Sequence, residues 1–139
     1  MQLPTEKRLT LSAARLIADT IEAEAKKNNW LVTFVVMDAG GHPILLHRMD
    51  GCQLGSIELA TRKARAAITY KRETKVFEER MAAGQMSTLA FPDVFPSEGG
   101  VPVIVDGAMI GAVGVSGVTS AQDGQLARAG IEALLKMVQ

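Results

Sequence analysis

From Leu11 to about Lys27, the apolar residues Ala14, Ile17, Ala18, Ile21 and Ala25 recur every three or four positions. Arg15, Asp19, Glu22 and Lys26 take the other side. This stripe predicts a helix with one buried face. Thr10 is placed to cap it, since its hydroxyl can accept from an amide the first turn leaves unpaired. Asn28-Asn29 ends it, because Asn tolerates the left-handed conformation of helix C-termini. At Trp30 the pattern changes. Trp30 to Met37 (WLVTFVVM) is β-branched and aromatic, and predicts a strand buried on most of both faces. Asp38-Ala39-Gly40-Gly41 is turn chemistry, and His42 to Met49 (HPILLHRM) returns. Pro43 cannot donate to a ladder, so it belongs at a strand start or on an edge.

Helical spacing resumes from Ser56, a potential cap, to Tyr70. Ile57, Ala60, Ala64, Ala67 and Ile68 form the inner face, with Glu58, Arg62, Lys63 and Arg65 mostly outside it. Thr74 is read as the cap of a short helix from Lys75 to Ala83. Gly84 to Ser97 carries Met86, Leu89, Phe91, Val94 and Phe95, but Gly84, Pro92 and Pro96 break any long element. An apolar stretch of this kind reads as a lid or an interface. Two β-rich runs follow, Val101 to Val105 and Ala108 to Val115. They are joined at Asp106-Gly107, a strong hairpin signal because a type I′ turn needs positive φ at both central residues. Gly111 and Gly114 remove side chains where another element or a ligand can approach the backbone. Ser120-Ala121-Gln122-Asp123 has the form of a capping box, opening a last helix to Met137. Its inner face is read as Leu126, Ala129, Gly130, Ala133, Leu134 and Met137. Two hairpins interspersed with helices predict an α+β fold, an antiparallel sheet with helices on a face or an end.

Composition narrows the partners. At 139 residues the chain is read as one domain, residues 1–139, able to build a single core. Fifteen basic residues balance fifteen acidic ones, so nothing pulls it toward nucleic acid or an anionic membrane. Its apolar runs are too short to span a bilayer, and its first residues lack a signal-peptide core. The one cysteine, Cys52, fits a reducing cytoplasm. Aromatics are only 4%, and small residues that pack backbones closely are many. Burial between subunits would help such a chain, which favours a homo-oligomer.

Three pieces carry a resemblance: VVMDAGGHPILLHRMDG, the ATRKARAAI helix, and the EGG-VP-DG-GAVGVSG series followed by AQD and ARAG. Together they resemble the GlcG/HbpS-like family over nearly the whole chain. The resemblance implies a profilin-like or PAS-like sheet flanked by helices, assembly into homo-oligomers, and binding of a tetrapyrrole, haem or a corrinoid. It also implies a link to glycolate or diol utilisation, since relatives accompany such genes or are fused to corrinoid adenosyltransferases. Haem-binding relatives use a first-helix histidine or a hydroxyl as ligand, and Leu11–Lys27 holds no His. His47 and Met86 are then the substitute metal-ligand candidates, with Met81 and Tyr70 behind them.

Other candidates come from the residues themselves. Glu98-Gly99-Gly100 could expose amides as an anion-binding concavity, aided by the last helix's N-terminus. Lys63 and Arg65 would add positive charge for a carboxylate or propionate. Arg48 joins the ligand candidates, or pairs with Asp50. Ser116 ends GVSG without a His–acid partner signal, so it is a contact candidate and not a nucleophile. Cys52 follows a turn and reads as exposed. His42 and His47 have no metal-type spacing with it or each other. Asp38 and Asp106 are read as turn formers.

No catalytic residue is assigned. The leading reading is a small oligomeric protein binding a tetrapyrrole or small organic acid in a pocket between the sheet and Gly84–Ser97. The alternatives are an enzyme acting on a hydroxy acid, aldehyde or diol, and an assembly module without ligand.

Overall fold

The computed structural model describes residues 1–138. The first stripe folds as read: α1 is Leu11–Lys27, Thr10 accepts from the Ala13 amide, and Ala14, Ile17, Ala18, Ile21 and Ala25 are buried. β1 is Thr33–Asp38 and β2 is Pro43–Arg48. They pair antiparallel, with Pro43 opening an edge strand. Next come α2 (Gly55–Tyr70), α3 (Lys75–Ala82) and a 3-10 turn at Met86–Ala90. β3 (Gly100–Val105), β4 (Ala108–Ser116) and α4 (Ser120–Met137) complete the chain. Asp106 and Gly107 take φ of 51° and 79°, the type I′ geometry their sequence signals.

The strands form one antiparallel sheet in the order β2-β1-β4-β3, so β4 leaves its hairpin partner to lie also against β1. Period-two alternation then sorts β1 between two cores. Phe34 and Val36 join Ile17, Ile21, Val113, Val115, Leu126 and Leu134, from α1, β4 and α4, on one face. Val35 and Met37 meet Ala60 and Ala64 of α2 on the other. Helices therefore cover both faces, not one face or end. Each fully buried Phe, Ile or Val contributes roughly 1.5–3 kcal/mol, and the sheet is the layer both cores share.

The alanines of α2 set how closely it lies. A Cβ on Gly114 would overlap the Ala60 carbonyl oxygen, and one on Gly100 the Lys63 carbonyl oxygen, so α2 rests directly on the backbone of β3 and β4. Gly130 does the same for α1 and α4, where a Cβ would press on Ile17 and Ile21.

Three caps differ from the reading. Ser56 lies inside α2, whose N-cap position is Leu54 with no side-chain bond. Thr74 precedes α3 but turns its hydroxyl to the Gly100 amide, at 2.9 Å. α4 is capped by Thr119 and Gln122 in a reciprocal box, one residue before the expected Ser120 box. That shift leaves the Asp123 carboxylate available for another partner. On α4, Asp123, Gly124, Ala127 and Ile131 are buried alongside Leu126, Gly130 and Leu134, while Met137 is exposed.

Candidate functional site

Lys63 faces inward, against its assignment to the outer side of α2. Its side chain is 3% exposed, and its Nζ donates to Asp123 Oδ2 at 2.9 Å and to the Val115 carbonyl at 3.1 Å. The ion pair ties α2, β4 and α4 together. Asp123 also accepts from the Val118 amide at 3.2 Å. Burial raises the Asp123 carboxyl to about 6, against the lowering pull of Lys63. Beside it, Arg128 donates to Glu98 at 2.9 Å and to Glu73 at 2.8 Å. Burial works against the Arg128 charge, and the hydrogen bonds to Glu98 and Glu73 outweigh it, so its pKa is raised.

The expected concavity at Glu98-Gly99-Gly100 is filled from within. The Glu98 side chain is 6% exposed and packs over Gly124. The Gly100 amide is taken by Thr74, Gly99 accepts from the Val115 amide at 3.0 Å, and the Glu98 amide donates to Glu78 at 3.2 Å. Lys63, Glu98, Gly99 and Gly100 thus do come together, as a sequestered charge cluster inside the fold. A second buried group lies near the start of α2. Ser116 reaches Ser56 at 3.3 Å, Gln53 donates to Ser56 at 3.1 Å, and Thr33 contacts the Cys52 sulfur at 3.4 Å. Cys52 is accordingly buried, not exposed.

The other candidates are scattered. Arg48 is exposed, lines a groove with Glu22, Lys26 and Asp50, and makes no ion pair with Asp50 among the described residues. His47 is exposed on β2 with its ring edge-on to Phe34. Met86 is 59% exposed in the 3-10 turn. Asp38 accepts from the Gly40 and His42 amides at 2.9 and 3.0 Å, as a turn former does. The His42 amide leads the causes that lower its pKa. Asp106 pairs with Lys7. Among the described residues no three His, Cys, Asp or Glu side chains gather as a metal site.

The surface opens in two other places. Gly84–Ser97 lies along α2, not over the sheet: Tyr70 donates to the Pro92 carbonyl and packs its ring with those of Phe77 and Phe91. Between them is a cleft of about 390 Å³ lined by Glu58, Arg62, Arg65, Asp93 and Val94. At the far end of the hairpin, a mostly apolar groove of about 300 Å³ runs between the N-terminal lead-in, β3–β4 and α4. Leu9, Ala13, Val105, Ile110 and Leu134 line it, with Lys7 and Arg8 on its rim. Across Lys7 and Ile110 it meets a second groove of about 540 Å³, bounded by Ala39, Lys71, Ile104 and Met109. The sequence reading missed this site, because its walls come from segments about a hundred residues apart. Ile104 and Val138 are large apolar residues left 45% and 37% exposed on its walls.

Fold and surface define a small α+β protein, with its sheet covered on both faces and its ligand-sized openings at the margins. The chain belongs to the HbpS-like family: the model described as "Haem degrading protein HbpS-like" matches residues 9–132. It is similar to Protein GlcG of Escherichia coli, 44% identical over 82% of this chain and 85% of that one. The crystal structure of Klebsiella pneumoniae protein ORFY superposes with a TM-score of 0.89 at 30% identity, covering 100% of this chain and 99% of that one. The crystal structure of a PduOC–haem complex superposes with a TM-score of 0.83 at 26% identity, covering 91% of this chain and 95% of that one. Among the described residues, no helix is long and apolar enough to cross a membrane.

Proposed function

We propose that this protein is a haem- or corrinoid-binding accessory protein, working as a single-domain homo-oligomer in the cytoplasm. The supporting observation is the joined groove at the hairpin end. The apolar lining of its smaller part suits the flat face of a tetrapyrrole, and Arg8 and Lys71 at its margin suit acidic substituents. The family match and the haem complex of a relative point the same way. The lining fits the group in one further respect. Met109 is its one side chain of the His, Cys, Met or Tyr types that commonly ligate haem iron. A bound haem would supply iron-centred redox chemistry; the chain's residues supply an apolar wall, basic rim and thioether. The buried Lys63–Asp123 pair and the half-buried Arg128–Glu98 pair hold the frame that carries the groove.

Titration of the pure protein with haemin and with cobalamin tests this. The expected result is saturable binding with a shifted Soret band, and a changed Soret maximum in Met109→Leu with binding retained. Absence of saturable binding of either compound would remove the proposal. An unchanged spectrum in Met109→Leu would remove the ligand assignment alone.

A further inference from the structure

We infer that the cleft between α2 and residues 91–95 is a second, separate site for a small carboxylate with a hydroxyl or ammonium group beside the carboxylate. Glu58, Arg62 and Arg65 stand at helical spacing on the outer face of α2, so they present one strip to the cleft. Glu58 engages only the Nε of Arg62, at 3.1 Å, which leaves the terminal nitrogens of that guanidinium. Arg65 makes no ion pair among the described residues, although it is only partly exposed. Two planar guanidinium forks on one wall match a carboxylate.

The opposite wall supplies the complement. Asp93 holds a left-handed backbone at φ 58°, a conformation that costs a non-glycine residue of order 1–3 kcal/mol unless its surroundings impose it. The bond from Tyr70 to the Pro92 carbonyl fixes the residue just before it. Asp93 and Glu58 are acceptors only when ionised, so they call for a donor on the ligand. Two cations and two carboxylates leave the cleft near neutral, which disfavours a bare dianion and favours a ligand with both kinds of group. The volume of about 390 Å³ is at the small end of ligand sites.

The three-carbon series lactate, alanine and propionate separates the possibilities, since only the middle substituent changes. Calorimetric titration of the whole protein should show saturable binding of lactate or alanine, at least tenfold tighter than propionate. Which of the two binds distinguishes a hydroxy acid from an amino acid. Arg65→Gln, on a partly exposed position, should weaken that binding at least tenfold while its circular dichroism stays native. Arg15→Gln, on the exposed side of α1, should leave it unchanged. Propionate binding as tightly as the others, no binding of any of the three, or unaltered binding by a folded Arg65→Gln protein would each overturn the inference. Haemin binding by the same preparation is a separate readout, so the two sites stand or fall independently.

Discussion

At the scale of residues, the chemistry of this chain divides into charges it uses on itself and charges it leaves to solvent. Lys63 shows why sequence reading assigns such a residue to the wrong side. Its partner, Asp123, lies sixty positions away, and only the one-residue shift of the α4 cap to Thr119 and Gln122 leaves that carboxylate free to meet it. A local capping pattern pointed to Ser120 and hid the pair. The Asp123 carboxyl sits at about 6 against 3.8 for an ordinary Asp. The folded state therefore holds its proton more tightly than the unfolded chain. Its contribution to stability grows as pH falls through about 6 toward 4, and is lost as pH rises through that window. Urea unfolding of the native protein and Asp123→Asn at pH 7 and 4.5 isolates this group. The native protein should gain about 2 kcal/mol relative to the variant on acidification. A relative loss on acidification would mean that the carboxyl is depressed, and that Lys63 outweighs burial.

At the scale of elements, the hydrophobic pattern was most informative where one short period decides. The α1 stripe, the run of β1 and the Asp106-Gly107 turn all depend on neighbours within a few residues. The stripe and the turn appear where the pattern puts them, while the strand read from Trp30 begins at Thr33 and runs through Asp38. What the pattern lacked was the order of the strands, since the β1–β4 pairing joins segments far apart in the chain. It also lacked the second helical layer. Gly114 carries that layer in a single atom's absence: Gly114→Ala must push α2 off β4, because the new Cβ meets the Ala60 backbone and not a flexible side chain. Overpacking of this kind costs typically 1–3 kcal/mol. Gly114→Ala should lose at least about 2 kcal/mol in chemical denaturation. Gly107→Ala, with open space around it and only its positive φ to strain, should lose about 1 kcal/mol. Equal stability of Gly114→Ala and the native protein would contradict the close seating of α2.

At the scale of the whole molecule, helices on both faces of the sheet push ligand-sized openings to the margins. The polar cleft falls beside α2, and the apolar groove falls where the hairpin, the lead-in and α4 meet. The sequence indicated a binding protein, through its resemblance, but expected its pocket between the sheet and Gly84–Ser97, with an anion-binding concavity at Glu98-Gly99-Gly100. There the chain's own carboxylates and Thr74 already occupy the glycine-rich backbone. We propose that the hairpin-end groove holds the tetrapyrrole. This proposal is tested most directly by the haemin affinity of Ile104→Glu, since Ile104 lines the groove yet is exposed enough to be replaced without disturbing the core. The expected affinity is at least tenfold below that of the native protein, with Arg62→Gln, in the cleft beside α2, unchanged. Native haemin affinity in a folded Ile104→Glu protein would contradict it.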